Sequence, residues 1–403
     1  MLGIKTIILR RRSNNHHADG RILCVDKNMF SPRLVLSELH NKKCVLNYFC
    51  KCIFILVGIY CTNTVGCRDN QSGPEGTQPG KRNYVWTVDT LSYLGSIQTD
   101  MYDVWASSAK NIYLVGYNDQ NSGQMYHFDG VTWSPIHLDK NHGGKIPGAF
   151  ALSAIYGFSA NDIYAIGEEI YQNRPPPIYY SDSSFIIHFA GTTWEEMPIT
   201  RRGYLTCIWG AKSNDVWAGG DRGTLYHYTG TVWDIFPFDT NFIFQSISGF
   251  STTDVYATCG KYVDKVAPID TQQYFLYHYN GYIWAPVDSF TSTPDQPAWK
   301  FGLRLWTCNK TLYATTYGVY ERQGNGWKQL LASYLPLRNY GSSSENIFSV
   351  GDAWQIYQWN GTDWKQFPSL ITGSGGFTCC WTNDIETFLI GFNGPSTFVM
   401  HGK

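Results

Sequence analysis

The chain has 403 residues, of which 43% are hydrophobic and 16% are aromatic, so it has enough apolar side chains to build a large core. Its formal charge of −1 hides an asymmetry, because residues 1–82 carry 13 Lys and Arg against 5 Asp and Glu, whereas residues 83–403 carry 18 against 27. An acidic folded region argues against binding to the phosphate backbone of nucleic acids, so we expect no nucleic-acid partner.

The first distinctive stretch is apolar and lies near the N-terminus. Its uninterrupted part, residues 52–61, is too short to span a bilayer comfortably and follows Lys42 and Lys43, which is typical of an export signal. The sequence TVGC at residues 64–67 resembles a bacterial lipobox, in which the Cys becomes lipid-modified and N-terminal. This resemblance implies lipidation of Cys67 and a lipid anchor at the outer membrane or the periplasmic face. A plain signal peptide of a secreted protein and an uncleaved signal anchor remain as alternatives.

These features divide the chain into three parts. We predict an export leader at residues 1–66, a tether at residues 67–82 and a folded domain at residues 83–403. Residues 68–82 have almost no apolar side chain and several Gly and Pro, a composition that favours disorder.

The folded domain repeats one unit, which is most complete at residues 207–233. The unit indicates four short strands, at residues 208–210, 215–219, 224–228 and 232–236. Gly230 lies in the tight link before the fourth strand, where a positive φ is needed. One such sheet is too small to fold alone, so its copies must pack on one another.

The unit recurs seven times along the chain. A first-strand residue stands seven or eight positions before a second-strand aromatic in the pairs Trp105/Tyr113, Tyr156/Tyr164, Trp209/Trp217, Ser248/Tyr256, Trp306/Tyr313, Tyr340/Phe348 and Trp381/Phe388. Six copies close with a tryptophan: Trp133, Trp194, Trp233, Trp284, Trp327 and Trp364. The seventh copy has none, and Trp86 lies in a segment with the pattern of the missing strand. We therefore predict an all-β, seven-bladed β-propeller of four-stranded antiparallel blades, closed by its N-terminal strand.

The repeated pattern D-[VI]-[WY]-A-x-G followed by H-[YF]-x-G-x-x-W resembles that of bacterial surface and lipoprotein β-propellers. Residues 130–133 and 191–194 also resemble the second half of the Asp-box of sialidase-type propellers, although the preceding S-x-D is missing and that family has six blades. The resemblance covers residues 83–403 and implies the fold, but such repeats carry little information about the ligand.

Three sets of repeated residues have a structural explanation. The histidines occupy one strand position in four different blades, so they cannot converge on a metal ion: His127, His188, His227 and His278. The polar residues that end the first turn are expected to form Asx-turns: Asn111, Asp162, Asp215, Asp254 and Asn346. The cysteines of the domain lack C-x-x-C spacing and are predicted to be buried thiols: Cys207, Cys259, Cys308, Cys379 and Cys380. We assign no metal site and no cofactor.

The first set of candidate ligand-binding residues lies on the long connections. Links between first and second strands, and between third and fourth strands, are short, so one face of the ring collects the long segments, residues 134–150, 168–184, 261–274 and 285–302. Irregular loops on a rigid scaffold are common binding sites. One of these loops carries aromatic side chains and a guanidinium suited to a protein or a carbohydrate: Tyr171, Arg174, Tyr179 and Tyr180.

The second set lies near the central channel, two positions before the first-strand aromatic. Arg304 and Arg338 occupy this position on neighbouring blades and could bind an anionic ligand, or each could be paired with a carboxylate. Asp103 holds the same position in another blade and is a candidate for that carboxylate.

The sequence contains no G-x-S-x-G elbow, P-loop or metal-binding helix motif, and no spacing identifies the two carboxylates of a glycosidase. We therefore assign no catalytic residue. We expect a monomeric, non-enzymatic binding propeller at the bacterial cell envelope that uses its long-loop face for a protein or a glycan. The alternative is a polysaccharide hydrolase or lyase with its site at the channel mouth.

Overall fold

The computed structural model describes residues 80–120, 122–170, 183–262, 272–292, 301 and 304–403. The predicted leader, the predicted lipidation site Cys67 and the first part of the predicted tether lie outside these residues. Within the described residues, no helix has the length and hydropathy of a membrane span.

The first four sheets follow one another along the chain, after an initial strand β1 (Trp86–Leu91). Blade 1 contains β2 (Thr99–Ser108), β3 (Asn111–Asn118), β4 (Met125–Phe128) and β5 (Trp133–Pro135). A 3-10 helix (Lys140–His142) precedes blade 2, which contains β6 (Ala149–Ser159), β7 (Asp162–Ile170), β8 (Ser184–Phe189) and β9 (Trp194–Glu196). Blade 3 contains β10 (Leu205–Lys212), β11 (Asp215–Gly220), β12 (Leu225–Tyr228) and β13 (Trp233–Ile235). Blade 4 contains β14 (Ile243–Ser251), β15 (Asp254–Tyr262), β16 (Gln272–Tyr279) and β17 (Trp284–Ser292).

Three further sheets complete the ring. Blade 5 contains β18 (Arg304–Cys308), β19 (Thr311–Thr316), β20 (Gly318–Gln323) and β21 (Gly326–Ala332). Blade 6 contains β22 (Leu337–Ser343), β23 (Asn346–Gly351), β24 (Gln355–Trp359) and β25 (Trp364–Phe367). Blade 7 contains β26 (Gly376–Thr382), β27 (Thr387–Asn393) and β28 (Ser396–Gly402), with β1 as its outer strand.

The predicted ring closure is confirmed. Strand β1 pairs antiparallel with β28, with Trp86 opposite Gly402 and Leu91 opposite Thr397. Two more backbone hydrogen bonds extend this ladder, from Val85 N to Lys403 O at 2.9 Å and from Lys403 N to Val85 O at 3.0 Å. The last blade thus receives its fourth strand from the N-terminal side of the domain, which locks the circle.

The strand register follows the repeat. The two residues of all seven repeat pairs, from Trp105/Tyr113 to Trp381/Phe388, are directly opposite one another in their sheets. In the five copies with a spacing of eight, a β-bulge near the turn accommodates the extra residue, as between Ala106 and Ser108 in blade 1. The two copies with a spacing of seven lack this bulge.

The core forms between neighbouring blades. Trp217 of blade 3 is fully buried and packs with Phe244 and Val255 of blade 4 in one apolar cluster. Its ring lies 3.8 Å from that of His227 in a stacked arrangement and 5.2 Å from that of Trp284 at a right angle. Because the sheets bury their apolar surface against each other, the ring folds as one closed set of blades.

The predicted Asx-turns are wrong. The polar residues that end the first turns of blades 1–4 bond to the repeated histidines instead. His227 Nε2 lies 2.8 Å from Asp215 Oδ1, and His188 makes the same contact with Asp162 at 2.7 Å. The first turn is instead closed by a serine in several blades, as where the N–H of Lys110 donates to Ser108 Oγ at 3.2 Å. A side chain that pairs with a histidine on the third strand is turned away from its own turn backbone.

Two predicted boundaries also change. The connection predicted at residues 285–302 starts later, because β17 continues pairing with β16 as far as Ser292, which lies opposite Gln272. The fourth strand of blade 3 starts at Trp233, since residues 229–232 form a four-residue turn in which Gly230 has a φ of 98°. A closing hydrogen bond runs across that turn, from Thr229 N to Val232 O at 3.4 Å.

The five cysteines of the domain are buried, as predicted. Burial raises the pKa of both Cys207 and Cys380 to about 12, so these thiols stay protonated near neutral pH. Their role is to fill space in the core.

Candidate functional site

The two faces of the ring differ in their connections. The first strands of successive blades contact one another around the ring and therefore line the central channel. We call the face at which these strands begin the long-loop face, because the links between blades and between second and third strands lie there. The opposite face carries the short links between first and second strands and between third and fourth strands, and we call it the tight-turn face.

A cavity of about 280 Å³ opens at the channel mouth on the long-loop face. Its lining comes from the beginnings of several first strands and includes two guanidinium groups, Arg304 and Arg338, together with Tyr102 and Tyr204. The acidic residue Glu168, near the end of β7, contributes to the opposite part of the wall. The cavity thus combines two cations, one carboxyl group and aromatic surface.

The predicted pair Arg304 and Arg338 is brought together in this cavity. Neither guanidinium has a hydrogen bond or an ion pair with any of the described residues, and both side chains are partly buried. The positive charge of Arg304, followed by burial, lowers the pKa of Arg338 to about 10. Arg338 therefore remains charged at neutral pH, and the two like charges repel each other at the mouth of the channel.

Asp103 belongs to the same electrostatic cluster but pairs with the backbone. Its Oδ2 accepts a hydrogen bond from the N–H of Ile155 in blade 2 at 3.0 Å. Burial raises the pKa of Asp103, while the charges of Arg304 and then Arg338 act in the opposite direction. The carboxyl group thus feels both arginines without forming an ion pair with either, so it does not satisfy their hydrogen-bonding groups.

The sequence reasoning missed a set of bulge residues, most of which line the cavity. A β-bulge interrupts the first strand of five blades, and its middle residue stands three positions before the first-strand residue of the repeat: Tyr102, Ser153, Thr206, Gln245 and Thr378. The Ser153 hydroxyl lies 3.1 Å from the carbonyl of Ile166 in its own blade and 2.7 Å from that of Leu205 in the next. A recurrent small hydroxyl at that position is a sequence signal that could have identified these inter-blade links.

Two more blades repeat this arrangement. The Thr206 hydroxyl bridges the carbonyls of Gly219 and Phe244 at 3.2 and 2.6 Å, and the Thr378 hydroxyl lies close to the carbonyl of Met101 in blade 1 at 2.8 Å. Because these hydroxyls bond to the backbone, they hold the cavity wall rigid. Blades 5 and 6 have no such bulge, and these are the blades that carry the two arginines.

Two acidic groups lie beside the cavity on blades 2 and 3. Burial raises the pKa of Glu168, and burial together with the nearby charge of Glu168 raises the pKa of Asp221 to about 6. Asp221 Oδ1 is buried without a hydrogen-bond partner among the described residues. These carboxyl groups make the mouth acidic on the side of blades 2 and 3, whereas the two arginines make it basic on the side of blades 5 and 6.

Exposed apolar side chains lie on the arginine side of the long-loop face. The link from β1 to blade 1 carries Leu94 and Ile97, the link from blade 5 to blade 6 carries Tyr334, and the link from blade 6 to blade 7 carries Leu370. Leu94 and Tyr334 are 96% and 99% exposed. An apolar rim beside a cationic cavity is suited to contact with a polypeptide.

The other predicted binding residues lie outside the described residues: Tyr171, Arg174, Tyr179 and Tyr180. The strands on either side of them, β7 and β8, pair with each other as far as Glu168 opposite Ser184. These four residues stay candidates on the basis of the sequence.

No protein-family model and no curated protein match the chain. Solved structures of propellers do match it. One, described as YCF48 bound to a D1 peptide, has a TM-score of 0.54 at 13% identity, covering 81% of this chain and 99% of that chain. Another, YCF48 from Cyanidioschyzon merolae, has a TM-score of 0.51 at 12% identity, covering 78% and 98%. At these identities the similarity shows the fold alone.

Proposed function

We propose that this protein is a non-enzymatic propeller that binds a polypeptide through its long-loop face and holds an acidic group of that ligand between Arg304 and Arg338. The observation that carries the proposal is the pair of partly buried, unpaired guanidiniums at the mouth of the cavity. A cation removed from water without a partner is costly, and an incoming carboxylate relieves that cost in the bound state.

The ligand chemistry follows from the shape of the donors. A guanidinium presents a planar fork of N–H groups that matches the two oxygens of a carboxylate. An aspartate, a glutamate or a free C-terminus placed between the two arginines accepts from both and also offsets their mutual repulsion. The apolar rim at Leu94, Tyr334 and Leu370 then contacts the neighbouring residues of the peptide.

The comparison supports a peptide as the ligand class. A solved propeller with the same architecture is described as bound to a peptide, although it is only 13% identical to this chain. The sequence predicts a long connection of this face that fits the same proposal, with the candidates Tyr171, Arg174, Tyr179 and Tyr180.

The location at the cell envelope remains part of the proposal. It rests on the apolar residues 52–61 and on the lipobox-like residues that end at Cys67. If Cys67 carries the lipid, Cys67→Ser releases the protein from the membrane fraction and leaves the propeller folded. Continued attachment of that variant would indicate an uncleaved anchor in residues 44–61 instead.

A selection from a peptide library tests the ligand class directly. The full chain is immobilised and panned with a library of displayed peptides that have free C-termini, in parallel with the variant Arg304→Gln/Arg338→Gln. We expect the parent to enrich peptides with an acidic residue or a required free carboxylate, and the double variant to lose that enrichment. Equal enrichment by both proteins would contradict the proposal, and binding to a glycan array alone would point to a carbohydrate.

A second function, cleavage of a polysaccharide, has one observation in its favour. Glu168 and Asp221 are close enough to influence each other, and both have a raised pKa, as a general acid requires. However, of these two only Glu168 lines the cavity. Release of reducing ends from a polysaccharide panel by the parent, abolished by Asp221→Asn, would establish this function over peptide binding.

A further inference from the structure

The chain enters the propeller on the tight-turn face. Gly80 donates its N–H to the carbonyl of Asn360 at 3.0 Å, in the turn between the third and fourth strands of blade 6. Lys81 Nζ donates to the carbonyl of Ile385 at 3.1 Å, in the first turn of blade 7. The described part of the chain therefore begins on this face, and the cavity opens on the opposite one.

Chain length limits how far this face can lie from a membrane that holds the N-terminal region. Gly80 stands thirteen positions after Cys67, and the apolar residues 52–61 end six positions before Cys67. The covalent geometry of the backbone limits thirteen residues to a span of about 45 Å. A lipid on Cys67 would thus hold Gly80, on the tight-turn face, within about 45 Å of the bilayer.

The tight-turn face has exposed apolar side chains at the tips of its turns. Val131 in blade 1 is 83% exposed, Tyr282 in blade 4 is 86% exposed, and Val232, Ile283 and Ile385 are also exposed. Blades 7 and 1 lie across the ring from blades 3 and 4, so the tips extend over the whole width of the face. A flat, extended apolar surface contacts all of these tips together.

Lysines accompany the apolar tips. Lys110, Lys212 and Lys310 lie in the first turns of blades 1, 3 and 5, are exposed, and have no ion pair with the described residues. The same face also carries acidic residues in its turns, Asp129, Glu345, Asp363 and Asp384, so the apolar tips supply the contact.

We propose that the tight-turn face lies on a lipid bilayer, with Val131, Val232 and Tyr282 at the headgroup level and the cavity directed away from the membrane. This surface is separate from the peptide site, and it can exist whether or not that site binds a peptide. Its consequence is geometric, because the long-loop face then remains open to a partner from the side opposite the membrane.

Two tyrosines provide matched reporters of this orientation. Tyr282 on the tight-turn face and Tyr334 on the long-loop face are both almost fully exposed, at 86% and 99%. The full chain is placed on vesicles of phosphatidylcholine and phosphatidylglycerol, and the rate of hydroxyl-radical oxidation at each tyrosine is measured by mass spectrometry with and without vesicles. We expect oxidation of Tyr282 to fall several-fold on vesicles and that of Tyr334 to stay unchanged.

A substitution and its control sharpen the test. Ile283→Asp places a charge beside Tyr282 and is expected to remove most of its protection, whereas Leu370→Asp on the long-loop face is expected to leave it unchanged. Both positions are exposed, so neither substitution threatens the fold. Equal protection of the two tyrosines, protection of Tyr334 instead, or no protection of Tyr282 would each overturn the proposal.

Discussion

Removing the Trp86 side chain tests ring closure by a single substitution. In β1 only Trp86 and Leu91 have side chains that are partly or fully buried, while the residues between them are exposed. The Trp86 ring lies against Gly402, where an added Cβ would approach it to 2.8 Å, and its centroid is 5.4 Å from that of Tyr84 and 6.0 Å from that of Phe367. Trp86→Ala therefore removes the main apolar contact by which the N-terminal strand holds blade 7.

The expected size of the effect follows from burial. Truncating a fully buried aromatic to alanine costs about 3–5 kcal/mol, and since Trp86 is only partly buried we expect about 2–3 kcal/mol. An unfolding entropy of about 2.1 cal/mol/K per residue over residues 80–403 amounts to roughly 0.7 kcal/mol/K, so Tm should fall by about 3–4 °C. Val88→Ala in the same strand, at a side chain that is 37% exposed, should cost less than about 1 kcal/mol.

Calorimetry and urea unfolding of the full chain measure both variants. The reasoning predicts one cooperative transition that shifts downward for Trp86→Ala and hardly at all for Val88→Ala. A Trp86→Ala protein with the parent's Tm and midpoint would show that this strand does not stabilise the ring.

Three other perturbations have defined outcomes. Burial lowers the pKa of His401 in the folded state, so the unfolded state binds more protons below about pH 6.5. Urea titrations should therefore show that stability is lost as the pH falls from 7 to 5, and that the loss is smaller in His401→Gln. Thr206→Val removes the hydroxyl that bridges blades 3 and 4 and should cost about 1–2 kcal/mol by urea unfolding, whereas Thr206→Ser should cost less. Replacing residues 170–182 by a short Gly-Ser link should leave Tm unchanged and weaken a peptide selected on the parent; unchanged affinity in titration calorimetry would show that this segment takes no part in binding.

The repeat was predictable because symmetry multiplies a weak local signal. One pair such as Trp209 and Trp217 could occur by chance, but seven pairs at nearly constant spacing predict the blade number. Ring closure was predictable for the same reason, since seven first hairpins need a seventh closing strand and Trp86 matches the pattern.

The candidate site was only partly predictable. The channel position of Arg304 and Arg338 follows from the repeat, but whether a carboxylate pairs with them depends on distances across the ring. The structure shows Asp103 bonded to the backbone of Ile155 instead. The contribution of Thr206 and its equivalents depends on a bulge that rotates one side chain toward the next blade. No local pattern reports such a rotation.

The central claim is that Arg304 and Arg338 bind an acidic group of a polypeptide, and titration calorimetry with a peptide selected on the parent tests it most directly. Charge-assisted hydrogen bonds contribute about 1.5–3 kcal/mol, so Arg304→Gln and Arg338→Gln should each weaken binding by about tenfold or more. Lys212→Ala on the tight-turn face should leave the affinity unchanged. Parent-like affinity in both arginine variants would contradict the account.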